Sequence, residues 1–88
     1  MIIKYKKSDN LLCTELDGEI CLFHTVTANY LNLNITASFI WNNIKKSFTV
    51  NSIKDLLLEE FDVDQETCQK EIKEFIIKCI KLEMIEEV

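Results

Sequence analysis

The side chains able to do chemistry in this sequence are few, and their spacing serves none. His24 is the only histidine, and no acid is placed by sequence to orient it as a general base. The four cysteines, Cys13, Cys21, Cys68 and Cys79, contain no Cys-x-x-Cys pair, so neither a zinc ribbon nor a redox motif is set up. Acids are plentiful at Glu59-Glu60, Asp62, Asp64, Glu66 and Glu86-Glu87, but they fall where helix ends are expected and read as solvated caps. Asp62-Val63-Asp64 begins like a calcium loop and lacks its glycine and later glutamate. With one glycine in the chain, no Gly-rich phosphate loop is possible. The expectation is no catalytic residue, no metal ligand and no cofactor. The chain does not read as an enzyme.

Composition narrows the partners. Eighty-eight residues make one domain, large enough to bury a core without metal or disulfide staples. The 48% hydrophobic and 28% charged content is that of a globular chain. Net charge is −5 and all ten basic residues are lysine, which counts against nucleic acid, where a basic, arginine-bearing face is favoured. No segment approaches the ~20 apolar residues of a membrane span. The opening Met-Ile-Ile-Lys-Tyr-Lys-Lys lacks a signal-peptide core, so the expected compartment is the cytoplasm. Reducing conditions there agree with cysteines used as small core hydrophobes.

The elements follow from periodicity. Residues 1–10 have weak patterning and read as a lead-in or short edge strand, leaving 11–88 as the domain. Two apolar-rich runs, 11–16 and 19–25, flank Asp17-Gly18, a strong signal for a two-residue type I′ hairpin. That loop pairs Leu16 with Glu19, Thr14 with Cys21 and Cys13 with Leu22, which puts Cys13 and Cys21 on opposite faces. One face then carries Leu11, Cys13, Glu15, Ile20, Leu22 and His24. The other carries Leu12, Thr14, Leu16, Glu19, Cys21 and Phe23, hardly more polar, so partial cover is expected on both sides. A third strand, Tyr30–Leu33, extends the first face with Leu31 and Leu33 if Thr25 pairs with Tyr30.

At Asn34 the period changes from two to 3.6, with Asn34 as N-cap. A first helix is predicted from about Ile35 to Lys46, broken at Phe48-Thr49. A second, capped by Thr49 or Asn51, runs to about Glu60. A third, capped by Asp64, runs from about Gln65 to Leu82, where Cys68, Ile72, Phe75, Ile76 and Cys79 form one apolar stripe. Cys68 and Cys79 share that stripe but lie about 16 Å apart along the axis, too far to bridge. The predicted fold class is α+β, a three-stranded antiparallel sheet followed by three helices, winged-helix-like in content.

What this pattern offers is an edge. The third strand ends a meander and carries no Pro, Lys or bulge-marking Gly, the usual devices against pairing with another chain. Either the third helix covers it, or it is open to an added peptide strand. Candidate walls for such a peptide are Tyr30, Leu31, Asn32 and Leu33 on the strand. On the third helix they are Ile72, Phe75, Ile76, Cys79 and Ile80, with Lys73 and Lys78 nearby for attraction to acids.

These residues also carry a resemblance. Leu16-Asp-Gly-Glu-Ile-Cys-Leu-Phe23, Asn29-Tyr-Leu-Asn-Leu-Asn34 and Ala37-Ser-Phe-Ile-Trp41 resemble the hairpin, strand and first helix of PqqD-like proteins. Those proteins recognise leader peptides of ribosomally synthesised, post-translationally modified peptides. Phe61-Asp-Val-Asp64 and Glu71-Ile-Lys-Glu-Phe75 resemble the lead-in and body of that family's third helix. Two departures concern turns. Ala28 stands where the family has glycine, leaving Asn29 for the left-handed position, and Glu83 stands where glycine often precedes the terminal apolar pair, here Met84-Ile85.

The resemblance implies that a leader peptide adds as a strand to the third strand and packs on the third helix. It implies a free-standing, non-catalytic recognition element, as in lasso-peptide and radical-SAM peptide pathways, serving a modifying enzyme or leader peptidase. The alternatives are a winged-helix DNA-binding regulator and a structural dimerisation module using the same edge, which would make a homodimer.

Overall fold

The computed structural model describes residues 2–88, so Met1 of the expected lead-in lies outside the described residues. The element order is β1 (Lys4–Lys7), β2 (Leu11–Leu16), β3 (Glu19–His24), β4 (Tyr30–Asn32), α1 (Ile35–Asn43), β5 (Ser47–Thr49), α2 (Val50–Glu60), α3 (Gln65–Lys81) and β6 (Ile85–Glu87). The expected sheet is present as β2-β3-β4, antiparallel throughout, and the three helices follow it. A second sheet, β5-β1-β6, was not expected. It corrects the reading of residues 1–10 as a lead-in or edge strand, because β1 is the middle strand, paired with β5 on one side and β6 on the other.

Local chemistry explains the hairpin. Asp17 and Gly18 take φ of 53° and 84°, as a type I′ turn requires, and the register matches Leu16 with Glu19 and Cys13 with Leu22. The next connection has a different register from Thr25 facing Tyr30. Phe23 pairs with Tyr30 and Leu22 with Leu31, a shift of two residues. His24 causes it. Its backbone N–H donates to the Asn29 carbonyl at 2.8 Å, and the Ala28 N–H donates back to the His24 carbonyl at 2.9 Å. The imidazole Nδ1 accepts the N–H groups of Val26 and Thr27, each at 3.2 Å, so the ring holds the turn. Ala28, not Asn29, occupies the left-handed position, at φ 64°. Because the shift is even, Leu31 and Leu33 stay on the face of Leu22.

That face is the core face. Ile20, Leu22, His24 and Leu33 are buried on it, while Leu12, Leu16, Phe23 and Tyr30 on the other are exposed. The expectation of cover on both sides is therefore corrected: one side of this sheet is open. α3 buries the predicted stripe of Cys68, Ile72, Phe75, Ile76 and Cys79, and Met84 and Ile85 join the same core, Ile85 opposite Lys7 of β1. The helix starts are as the sequence implies. Asn34 and Asp64 accept the N–H groups of Ala37 and Thr67, and Thr49 and Ser52 form a reciprocal capping box. α3 ends in a Schellman motif: Met84 N–H donates to the Cys79 carbonyl at 2.8 Å and Glu83 N–H to Ile80 at 3.0 Å, with Glu83 at φ 60°. α1 ends earlier than expected, at Asn43, because Ser47–Thr49 pairs with β1. Lys7 ties β1 to α1. Its ammonium donates to the Trp41 carbonyl at 2.8 Å and lies 4.5 Å from the centre of the Trp41 ring. Burial lowers its pKa from the usual lysine range, with Cys13 opposing.

Candidate functional site

Among the described residues β4 is an edge strand, with β3 as its one partner. In an antiparallel ladder the residues alternate between pairs that exchange both backbone bonds and pairs that exchange none. Leu33 N–H donates to Ile20 at 2.7 Å and the Asn29 carbonyl accepts from His24, so the odd residues of this segment face β3. The N–H and C=O groups of Tyr30 and Asn32 therefore point outward. They lie beside a cleft of about 150 Å³ between β4, the start of α1, and α3. Leu31, Leu33, Ala37, Ile40 and Phe75 make its apolar walls, and Glu71, Glu74 and Lys78 stand with Asn32 and Asn34 among its polar lining. None of these three charged residues takes part in the ion pairs formed among the described residues, Lys6 with Glu86 and Lys46 with Asp9.

One end of the strand is fixed by a side chain. Ser38, fully buried on α1, accepts the Ile20 N–H at 2.8 Å and donates to the Leu33 carbonyl at 3.1 Å. The hydroxyl thus stands in for the second backbone bond of the Ile20–Leu33 pair and holds Leu33 at the cleft.

The residues named from sequence divide into four groups. Leu31, Asn32, Leu33, Phe75 and Lys78 line the cleft. Ile72, Ile76 and Cys79 are buried in the core, and burial pushes the Cys79 thiol up to about 12. Tyr30 lies on the strand's other face, 66% exposed. Lys73 and Ile80 do not line the cleft; at about 100° per residue they stand roughly 140–160° around the helix from Lys78. The flank of α3 beside β4 is the one carrying Glu71, Glu74 and Lys78. Those two glutamates, Asn34, Ala37 and Ile40 were not foreseen. The spacing of Glu71, Glu74, Phe75 and Lys78 at i, i+3, i+4 and i+7 marks one helix face in the sequence, but nothing local says which neighbour that face meets.

A small α+β domain, winged-helix-like, with an open strand edge above a cleft of mixed apolar and polar lining, is the class these features define. The family model for coenzyme PQQ synthesis protein D (PqqD) matches residues 19–85, and the chain belongs to that family. Among solved structures, TbiB1 in complex with the TbiA(beta) leader peptide is 26% identical, with a TM-score of 0.77 over 92% of this chain and 94% of that one. Lasso peptide synthetase B1 complexed with the leader peptide has a TM-score of 0.72 over 93% of this chain and 96% of that one; at 15% identity this likeness concerns the fold alone. No curated protein matches the sequence. Among the described residues there is no group of three or more His, Cys, Asp or Glu side chains able to hold a metal ion. No helix among them is long and apolar enough to cross a membrane.

Proposed function

We propose that this chain is a non-catalytic recognition module that captures the leader segment of a ribosomally synthesised precursor by strand addition at β4. Through that capture it delivers the precursor to a modifying enzyme or leader peptidase. The observation that carries the reading is the open β4 edge, with the backbone of Tyr30 and Asn32 turned outward above the cleft. Family membership and the fold shared with TbiB1, whose structure holds a leader peptide, support it.

The magnitudes say what the cleft must do. Backbone bonds to the edge contribute about 0.5–1.5 kcal/mol net each and carry little sequence information. Ordering a disordered leader costs about 2–5 kcal/mol or more. Sub-micromolar binding, about −8 kcal/mol, therefore needs leader side chains buried against Leu31, Leu33, Ala37 and Phe75. A net charge of −5 without arginine disfavours the DNA-binding alternative.

The experiment is fluorescence polarisation with a labelled candidate leader peptide at two salt concentrations. Saturable binding that survives moderate salt supports apolar capture. No binding, or binding that collapses with salt, removes this reading. Light scattering over a range of concentrations separates it from self-pairing of the β4 edge in a dimer.

A further inference from the structure

The open face of the β2-β3-β4 sheet carries a feature that the cleft does not use. Leu12 pairs with Phe23, and Phe23 with Tyr30, so these three side chains form one row across the three strands. All are open to solvent, at 60%, 39% and 66% exposure. A solvated sheet face ordinarily alternates to polar side chains, and this row is apolar and aromatic instead. Beside it, Thr14, Cys21 and Asn32 form the next row and line a shallow depression of about 370 Å³. Both rows stop at β4, whose outer side has no strand among the described residues.

We propose that this open face is the second half of the leader-binding site. An added strand places one outward side chain beside Tyr30, as the fourth member of the Leu12–Phe23–Tyr30 row. This rests on strand addition at β4 and states what class of leader the site selects. Residues directly opposite in an antiparallel pair share a face, with Cβ atoms about 4.5–5.5 Å apart. The leader residue opposite Tyr30 therefore lies on the row, and its neighbour opposite Leu31 lies on the cleft side. The selected segment carries two adjacent large apolar residues, one for each face, the outward one aromatic or β-branched. Alternating apolar residues alone would serve only the cleft.

Pairing with Phe23 occupies only the β3 flank of Tyr30. Leu12 against Phe23 already supports the hairpin, while the flank of Tyr30 toward the β4 edge has no neighbouring strand to meet. Edge strands commonly carry a charge where an aromatic here invites a neighbour.

The test uses the intact protein and a displayed library of random short peptides as the probe. Selected peptides, made synthetically and labelled, are measured by fluorescence polarisation against Tyr30→Thr, Tyr30→Phe and Asn32→Pro. Circular dichroism checks each fold; threonine keeps strand propensity at this exposed site. The expected result is selection of the adjacent apolar pair, with loss of about fivefold or more in Tyr30→Thr and little change in Tyr30→Phe. Replacing the outward peptide residue by Ser should cause a similar loss, and the two losses should not add. If Asn32→Pro abolishes binding but Tyr30→Thr leaves it within twofold, strand addition stands and the role of the open face is overturned. Binding indifferent to both variants removes strand addition, and this inference with it.

Discussion

Ser38 donates its hydroxyl hydrogen to the Leu33 carbonyl at 3.1 Å, and through it a helix holds the end of an edge strand. The same oxygen accepts the Ile20 N–H at 2.8 Å, so two buried backbone groups depend on one side chain. Ser38→Ala leaves both without a partner and is expected to destabilise the fold by on the order of 1–3 kcal/mol, read from urea denaturation. A midpoint unchanged from the parent protein would mean that water replaces the hydroxyl there.

The two faces of β4 make proline a directional probe. The Leu31 N–H faces β3, so Leu31→Pro breaks the ladder and is expected to lower the thermal midpoint. The Asn32 N–H faces outward, so Asn32→Pro is expected to spare the fold and abolish leader binding. Unchanged affinity in a folded Asn32→Pro protein would rule out the β4 edge.

On α3, core and cleft separate by variant. Ile76 is 7% exposed, and Ile76→Ala is expected to lose about 2–5 kcal/mol of stability by denaturant titration. Ile80→Ala, on the far flank, is expected to change stability by about 1 kcal/mol or less and to leave leader affinity alone. Ala37→Leu, which puts bulk into the cleft, is expected to weaken leader binding about tenfold or more without unfolding the protein. Full affinity in Ala37→Leu would move the binding site out of the cleft.

Apart from Asp17 in the hairpin turn, two non-glycine residues sit in the left-handed region, Ala28 at φ 64° and Glu83 at φ 60°. That conformation is strained for residues with a Cβ. Ala28→Gly and Glu83→Gly are each expected to stabilise by about 0.5–1 kcal/mol, after the added freedom of the unfolded chain is subtracted. Thermal unfolding measures it, and a lowered midpoint in either variant would show that its side chain contributes more than the strain removes.

The thiols should report the fold. Cys13 is exposed, whereas Cys68 and Cys79 are fully buried, and burial raises the pKa of both, that of Cys79 to about 12. In native buffer near pH 8, a maleimide is expected to label Cys13 quickly and Cys68 and Cys79 only after denaturant is added. Mass spectrometry of labelled peptides distinguishes them. Rapid native labelling of Cys79 would mean that α3 opens far more often than its packing implies.

Much of this protein is written locally in its sequence. Asp17-Gly18 fixes the hairpin register, because few dipeptides accept two positive φ angles in succession. Asn34 and Asp64 start their helices with their own side chains, and the 3.6 period from Cys68 to Cys79 marks the buried stripe of α3. The faces of the β2-β3-β4 sheet survived a two-residue difference in pairing, since side-chain direction has period two.

The second sheet was not legible, for a physical reason. β1, β5 and β6 hold four, three and three residues, too few to show a period, and they join Lys6 to Ser47 and Glu86 across most of the chain. The candidate site depended on the same kind of information. An apolar stripe says which side of α3 turns inward, not which flank of the stripe meets β4. Only the packing of α1 and α3 against the sheet puts Glu71, Glu74 and Lys78 beside Leu31, and sends Lys73 and Ile80 to the far side.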